Sequence, residues 1–269
     1  MFNFLTQDFM IRALLLALSL SAAASLLSPF LVLNKQAMIA DGLSHVAFTG
    51  IIFGLLFSNQ AFYIAIPFTV LASIFITYLG NIKMIDHDSA IGVISTFTLA
   101  VGLIVVSLTD GFNRDIESLL TGAILSSSSV DVWISFAILI ITGAFITFFY
   151  RSLLSLTYDE SYAKFSKVKS TFLKYCLSAL TGLFIVVGIR TVGMLLISTF
   201  IIFPALIASQ ISRSFKQTIL ISLLVSVVSV FLSIWISYEL DTPTGSTIVV
   251  FYTLVLALAI IYRRFFKKN

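Results

Sequence analysis

The chain has 269 residues, of which 59% are hydrophobic and only 10% charged, with a mean hydropathy of +1.10. A water-soluble domain carries roughly 25% charged residues and needs a polar shell that this composition cannot supply. The sequence therefore excludes an ordinary soluble protein and reads as one membrane domain, 1–269. Its basic residues lie beside apolar runs, where membrane topology accounts for them without nucleic acid.

Apolar runs long enough to cross about 30 Å of hydrocarbon recur throughout. In chain order they predict helices over 9–33, 39–57, 60–80, 90–108, 131–150, 172–189, 192–209, 217–237 and 246–262. Two are unusual: 39–57 contains Asp41, Ser44 and His45, and 192–209 is short and holds Pro204, which predicts a kink. The expectation is nine segments, or eight if one of that pair only re-enters. The runs are too long and too unpatterned for barrel strands of about ten residues, so the expected fold class is all-α, a polytopic transmembrane helical bundle. Asp8 precedes the first run without a basic leader region or a cleavage site, which reads as a retained first helix. The lone Cys176 permits no intrachain disulfide and no cysteine metal site.

Lysine and arginine orient the segments. With the N-terminus outside and nine crossings, only Arg12, Arg114 and Arg190 of the 16 basic residues fall outside, leaving 16 − 3 = 13 inside. The expected topology is multi-pass in a cell membrane, with the C-terminus cytoplasmic. Two connections are long. The outer one, 109–130, carries Asp110, Asp115 and Glu117, then the polar run Ser126 to Ser129. The inner one, 151–171, reads RSLLSLTYDESYAKFSKVKST. Its section 158–168 is expected to form a short helix begun by Thr157, with Asp159 and Glu160 near the first turn. It is either a solvated connector or a docking element for a cytoplasmic partner.

The chemistry concentrates in MIADGLSHVAFTG, residues 38–50. Asp41 and His45 are four apart and share a helix face. Ionisable groups inside a membrane domain usually face a pathway or a partner, and imidazole with carboxylate suits zinc or manganese. Two ligands are too few for a structural site and fit a station that an ion must leave. The bland reading is that Asp41 begins the helix while His45 pairs with it or bonds across helices. His87, between Asp86 and Asp88, reads as a solvated turn. The small residues Ala22 to Ser25, Gly92, Gly102, Gly182, Gly188 and Gly193 read as helix-packing positions. In DTPTGS, 241–246, Pro243 and Gly245 predict a turn before the last span. GxxxxGK[ST], HExxH and CxxC are all absent, so no ATP hydrolysis is expected of this chain.

These motifs together resemble the permease subunit of the ABC transporters that import zinc, manganese or iron(II), and most closely the bacterial high-affinity zinc branch. MIADGLSHVAFTG is similar to the family's second-helix motif, and TYDESYAKF, 157–165, to its Asp-Glu cytoplasmic loop. The segment 188–216 and ISYELDTPTGSTIVV at 236–250 follow the pattern as well. The likeness runs nearly the full length, with two departures. Phe165-Ser166-Lys167-Val168 stands where a glycine is usual, and Leu120-Thr121-Gly122 replaces an LFG-like start. The resemblance implies a bundle of the vitamin B12/metal importer type, formed by two copies of this chain. It also implies two separate ATPase subunits beneath, and an extracytoplasmic metal-binding protein docked on loops such as 109–130. A coupling helix would lie within 151–171, with Tyr158, Asp159 and Glu160 at the ATPase contact. Zn2+, or alternatively Mn2+ or iron(II), would pass a transient site built by Asp41 and His45, with no cofactor held permanently. A sparse lining fits transport, since a tight cage would trap the ion. The rivals are three. A bulky vitamin or iron-chelate substrate gives no reason for a His-Asp pair. A gradient-driven transporter would show an internal repeat with broken helices, and none is clear. A non-transporting scaffold would make Asp41 and His45 dispensable.

Overall fold

The computed structural model describes residues 8–57, 61–82, 85–108 and 127–266. These residues form ten helices: α1 (Asp8–Leu33), α2 (Ile39–Phe57), α3 (Ala61–Asn81), α4 (His87–Leu108), α5 (Ser129–Tyr158), α6 (Glu160–Phe165), α7 (Ser170–Val192), α8 (Met194–Ile211), α9 (Phe215–Leu240) and α10 (Thr244–Phe266). All but α6 are long and apolar enough to span a bilayer, giving nine candidate spans among the described residues. The doubtful 39–57 and 192–209 correspond to full helices, and even the 18-residue α8 measures about 27 Å at 1.5 Å per residue. Most of the connection 109–130 lies outside the described residues, including Asp110, Arg114, Asp115, Glu117 and Leu120-Thr121-Gly122.

Local chemistry sets the helix ends. Ser128 and Asp131 form a reciprocal capping box at the start of α5, and Ser214 caps α9 by accepting from the Gln217 N–H. Only Gly193 separates α7 from α8, at φ 88° and ψ 165°, a conformation open to glycine and strained for other residues. Asp241 closes α9 in the left-handed region at φ 52°. The predicted short helix is α6, but its cap is Asp159, whose carboxylate accepts from the Tyr162 N–H at 3.0 Å. Thr157 lies inside α5 and donates to the Leu153 carbonyl at 2.8 Å. The loop expected at 151–158 is thus the last two turns of α5, because Leu153 and Leu156 keep the buried helical face beyond Arg151. A charge on the opposite face did not end the helix.

Two helices organise the packing. α1 packs against α5, α8 and α9, while α2 packs against α3, α4 and α7, and α8 touches both groups. The most apolar window of α1 is 78% buried, against 17% for α10. Val250, Leu254, Leu258 and Ile261 are exposed on α10, at a spacing that faces one side, as a lipid-bathed surface requires. Small polar residues glue the interior, where lipid and core are equally apolar. Ser19 and Ser135 hydroxyls lie 2.6 Å apart, and Ser226 donates to the Ser21 carbonyl at 2.9 Å. Beside Pro204 of α8, the Ser28 hydroxyl bonds the Ile201 carbonyl and accepts from the Ala205 N–H at 3.1 Å. Those two backbone groups are one turn apart, and Ser222 donates to the Pro204 carbonyl at 3.2 Å from the other side. The backbone around Pro204 is therefore braced by hydroxyls from both α1 and α9.

Candidate functional site

α2 is buried along most of its length, yet Asp41 is exposed and His45 only partly covered. Met38, three residues before Asp41 and seven before His45, is also exposed, so the three define one narrow open stripe. Its width is set by glycines. A Cβ on Gly42 would collide with Ile91 of α4, and one on Gly54 with the Ala61 backbone of α3. Thr49 reinforces the contact by donating to the Thr98 carbonyl of α4 at 2.8 Å. Gly42 and Gly54 thus let α4 and α3 pack closely on the faces of α2 beside the stripe.

Ser44 does not join the stripe: it is fully buried and donates to the Ala40 carbonyl at 2.6 Å. Among the described residues, Asp41 makes no hydrogen bond or ion pair, and His45 Nδ1 is buried without a partner. An unmade hydrogen bond on a buried polar atom costs about 1–3 kcal/mol, and His45 shares this state with Asn81 Nδ2, Thr142 Oγ1 and Trp235 Nε1; what sets it apart is its place on the open stripe beside Asp41. The alternative that His45 pairs with Asp41 is not what the side chains do. No group of three or more His, Cys, Asp or Glu side chains is placed to hold a metal ion among the described residues. One chain places one carboxylate and one imidazole on this stripe.

A second polar set lies at the end of the bundle that carries α6. Glu160 reaches back from α6 to Lys174 of α7 at 2.7 Å and to Lys164 at 2.8 Å. Those hydrogen bonds, Lys164 first and then Lys174, hold its carboxyl down at about 2. Lys174 also donates to Asn81 Oδ1 of α3 at 3.0 Å. Beside them is a cavity of about 190 Å3 lined by Asn34, Gln36, Thr77, His87, Glu160 and Lys174, among others. His87, expected in a solvated turn, instead begins α4 and approaches Gln36 Nε2 at 3.3 Å. Gly80 makes this possible, since a Cβ there would strike the imidazole. Gln36 precedes Asp41 by five residues, so the set links α6 to the start of α2.

The docking expectation for 158–160 divides. Asp159 is engaged in capping α6 and Glu160 in the lysine pair. Tyr158 is 69% exposed while its ring meets Phe215 edge-on at 5.9 Å. The exposed aromatic groups of α6 are Tyr162 and Phe165, at 61% and 87%, which the sequence reading passed over. Aromatics on a short polar helix were the available signal. At the opposite end, Arg190 lies 3.6 Å from Asp131 and 4.6 Å from the Phe62 ring centre, tying α3, α5 and α7 together.

Nine apolar helices among the described residues, with a short capped helix between the fifth and sixth, define a polytopic membrane protein. The model of the ABC 3 transport family matches residues 6–263. The chain is 31% identical over 247 residues to the manganese import system permease protein ScaB of Streptococcus gordonii, covering 92% of this chain and 88% of that one. It is 29% identical to the chelated iron transport system membrane protein YfeD of Yersinia pestis, covering 94% and 85%. The solved structure of PsaBC from Streptococcus pneumoniae in complex with a Fab superposes with a TM-score of 0.84 at 28% identity, covering 99% of this chain and 98% of that one. The chain belongs to the ABC 3 transport family and is a multi-pass permease subunit.

Proposed function

We propose that this chain is the membrane-spanning subunit of an ATP-driven importer of a divalent first-row metal ion. The observation that carries the reading is the open stripe of α2, where an unpartnered carboxylate and a histidine with an orphaned ring nitrogen lie side by side. Manganese and iron are the preferred cargoes because the relatives are named for manganese and chelated iron. Zinc, favoured by the resemblance of the motif, is the alternative, since one histidine and one carboxylate suit all three ions. Asp41 and His45 of two copies would face each other across a shared pathway and complete a transient ligand set.

Support for the orientation is the sorting of charge: Arg151, Lys164, Lys174, Arg213, Lys216 and Arg263 all belong to the α6 end. That end would be cytoplasmic, with an ATPase subunit under each copy and an extracytoplasmic metal-binding protein opposite. Tyr158, Tyr162 and Phe165 would meet the ATPase, with Asp159 and Glu160 holding α6 in place for them. The test is uptake of radiolabelled manganese, iron and zinc in cells expressing the complete transporter. Asp41→Ala and His45→Ala should each reduce uptake to background with normal membrane abundance. Normal uptake in both variants would remove the assignment.

A further inference from the structure

A groove of about 410 Å3 opens on the membrane-facing side between α5 and α9, with Leu26 of α1 at its floor. Its walls are apolar: Gly143 and Ile146 of α5 and Ile219 and Leu220 of α9. Gly143 creates the space, because a Cβ there would touch only the tip of Leu26 at 3.9 Å. Unlike Gly42 and Gly54 of α2, it is not in close contact with a neighbouring helix. The Thr147 hydroxyl in the wall donates to the Gly143 carbonyl at 2.7 Å, which leaves that wall without a free donor.

The chemistry changes at the α6 end of the groove, where Lys216 and Tyr150 line it. Lys216 is exposed, and among the described residues neither its ammonium nor the Tyr150 hydroxyl has a hydrogen-bond or ion-pair partner. The Tyr150 ring is held against Phe215 at 6.3 Å. Lys216 is the second residue of α9, so the positive end of the helix dipole adds to its charge. A site with an acyl-sized apolar slot and a cationic, donor-bearing mouth at the membrane boundary matches one class of molecule. We infer that the groove binds an anionic phospholipid, with one chain over Gly143 and the phosphate at Lys216 and Tyr150. Basic pockets between spans on the cytoplasmic side recognise such headgroups. That the lipid comes from the cytoplasmic leaflet rests on the orientation proposed above; the preference for negative charge does not.

Native mass spectrometry of the transporter, titrated with phosphatidylglycerol and phosphatidylcholine of equal chain length, tests this without reference to transport. The expected result is several-fold greater retention of phosphatidylglycerol. Lys216→Ala should bring retention to the phosphatidylcholine level and Lys216→Arg should preserve it. Gly143→Leu, which fills the slot without displacing a helix, should lower retention of both lipids. Equal retention of the two lipids by the unaltered protein would overturn the inference, as would indifference to both Lys216→Ala and Gly143→Leu. A change of oligomeric state in Gly143→Leu with lipid retention unchanged would also overturn it, by showing that a second copy covers the groove.

Discussion

Of the polar sets among the described residues, the one at the α6 end and the one on α2 treat their side chains in opposite ways. At the α6 end, Glu160, Lys164, Lys174 and Asn81 are joined by contacts of 2.7 to 3.0 Å. On α2, Asp41 has no partner among the described residues and His45 keeps an orphaned ring nitrogen. The charged groups of the first set neutralise one another, because an unpaired charge in low dielectric is costly, although Asn81 Nδ2 in that set is buried without a partner. Groups left unsatisfied beside them are available to something that arrives from outside. The contrast is between charges that neutralise one another and an Asp–His stripe that nothing among the described residues neutralises.

The largest effects should break the two sets differently. Asp41→Asn removes a charge that nothing in the chain uses, so its unfolding free energy should stay within about 0.5 kcal/mol of the parent while metal uptake falls to background. Lys174→Glu should do the reverse in order of cause. It sets two carboxylates together at the junction of α6 and α7 and should cost about 1–2 kcal/mol, less than a fully buried pair because Glu160 is 42% exposed. Adding Glu160→Lys to that variant restores opposite charges and should recover most of the stability and the uptake. If thermal melting in detergent shows Asp41→Asn as the more destabilised protein, the distinction between the sets is wrong.

A smaller effect follows from the depressed Glu160 carboxyl, lowered from 4.5 to about 2 by its lysine hydrogen bonds. A carboxyl with a lowered folded-state value stabilises fully above its unfolded value and loses that contribution as pH falls through the folded one. The melting-temperature difference between the parent and Glu160→Gln should therefore be flat from about pH 7 to about pH 5 and shrink below about pH 4.5. A difference that shrinks between pH 7 and pH 5 would show that Glu160 is not held as described.

Much of this was legible in the sequence, for reasons that differ by residue. The nine spans follow from unbroken apolar length, and the α5 overrun past Arg151 shows the weakness of that signal, since one exposed charge hides a continuing buried face. Asp41 and His45 were legible because ionisable residues in an apolar run stand out. Ser44 looked equally promising and is absorbed by the Ala40 carbonyl, as local serine bonding allows. His87 was misjudged because its partners, Gln36 and the space over Gly80, are 51 and 7 residues away in sequence. No local pattern announces contacts of that kind. The roles of Tyr162 and Phe165 depended on which face of α6 turns outward, and that is decided by the Asp159 cap and the Glu160–Lys174 pair.

The smallest expected effect concerns the end of α6, where the resemblance noted a missing glycine. Among Phe165-Ser166-Lys167-Val168, it is Lys167 that adopts the left-handed conformation, at φ 57°. Val168 N–H bonds the Ala163 carbonyl at 3.0 Å across it, the closure that usually places glycine at this position. Lys167 is exposed, so replacing it loses no buried contact. Glycine would relieve about 1–2 kcal/mol of left-handed strain and give back about 0.4–1 kcal/mol through greater freedom of the unfolded chain. The net gain for Lys167→Gly should be about 0.5–1 kcal/mol, read as a higher melting temperature with unchanged uptake. A loss of stability would mean that the lysine side chain holds α6 in a way the backbone does not reveal. A gain in stability accompanied by lost uptake would be more informative still, because it would place the strain of Lys167 within the motion of α6 and extend the mechanical set beyond Glu160 and Lys174.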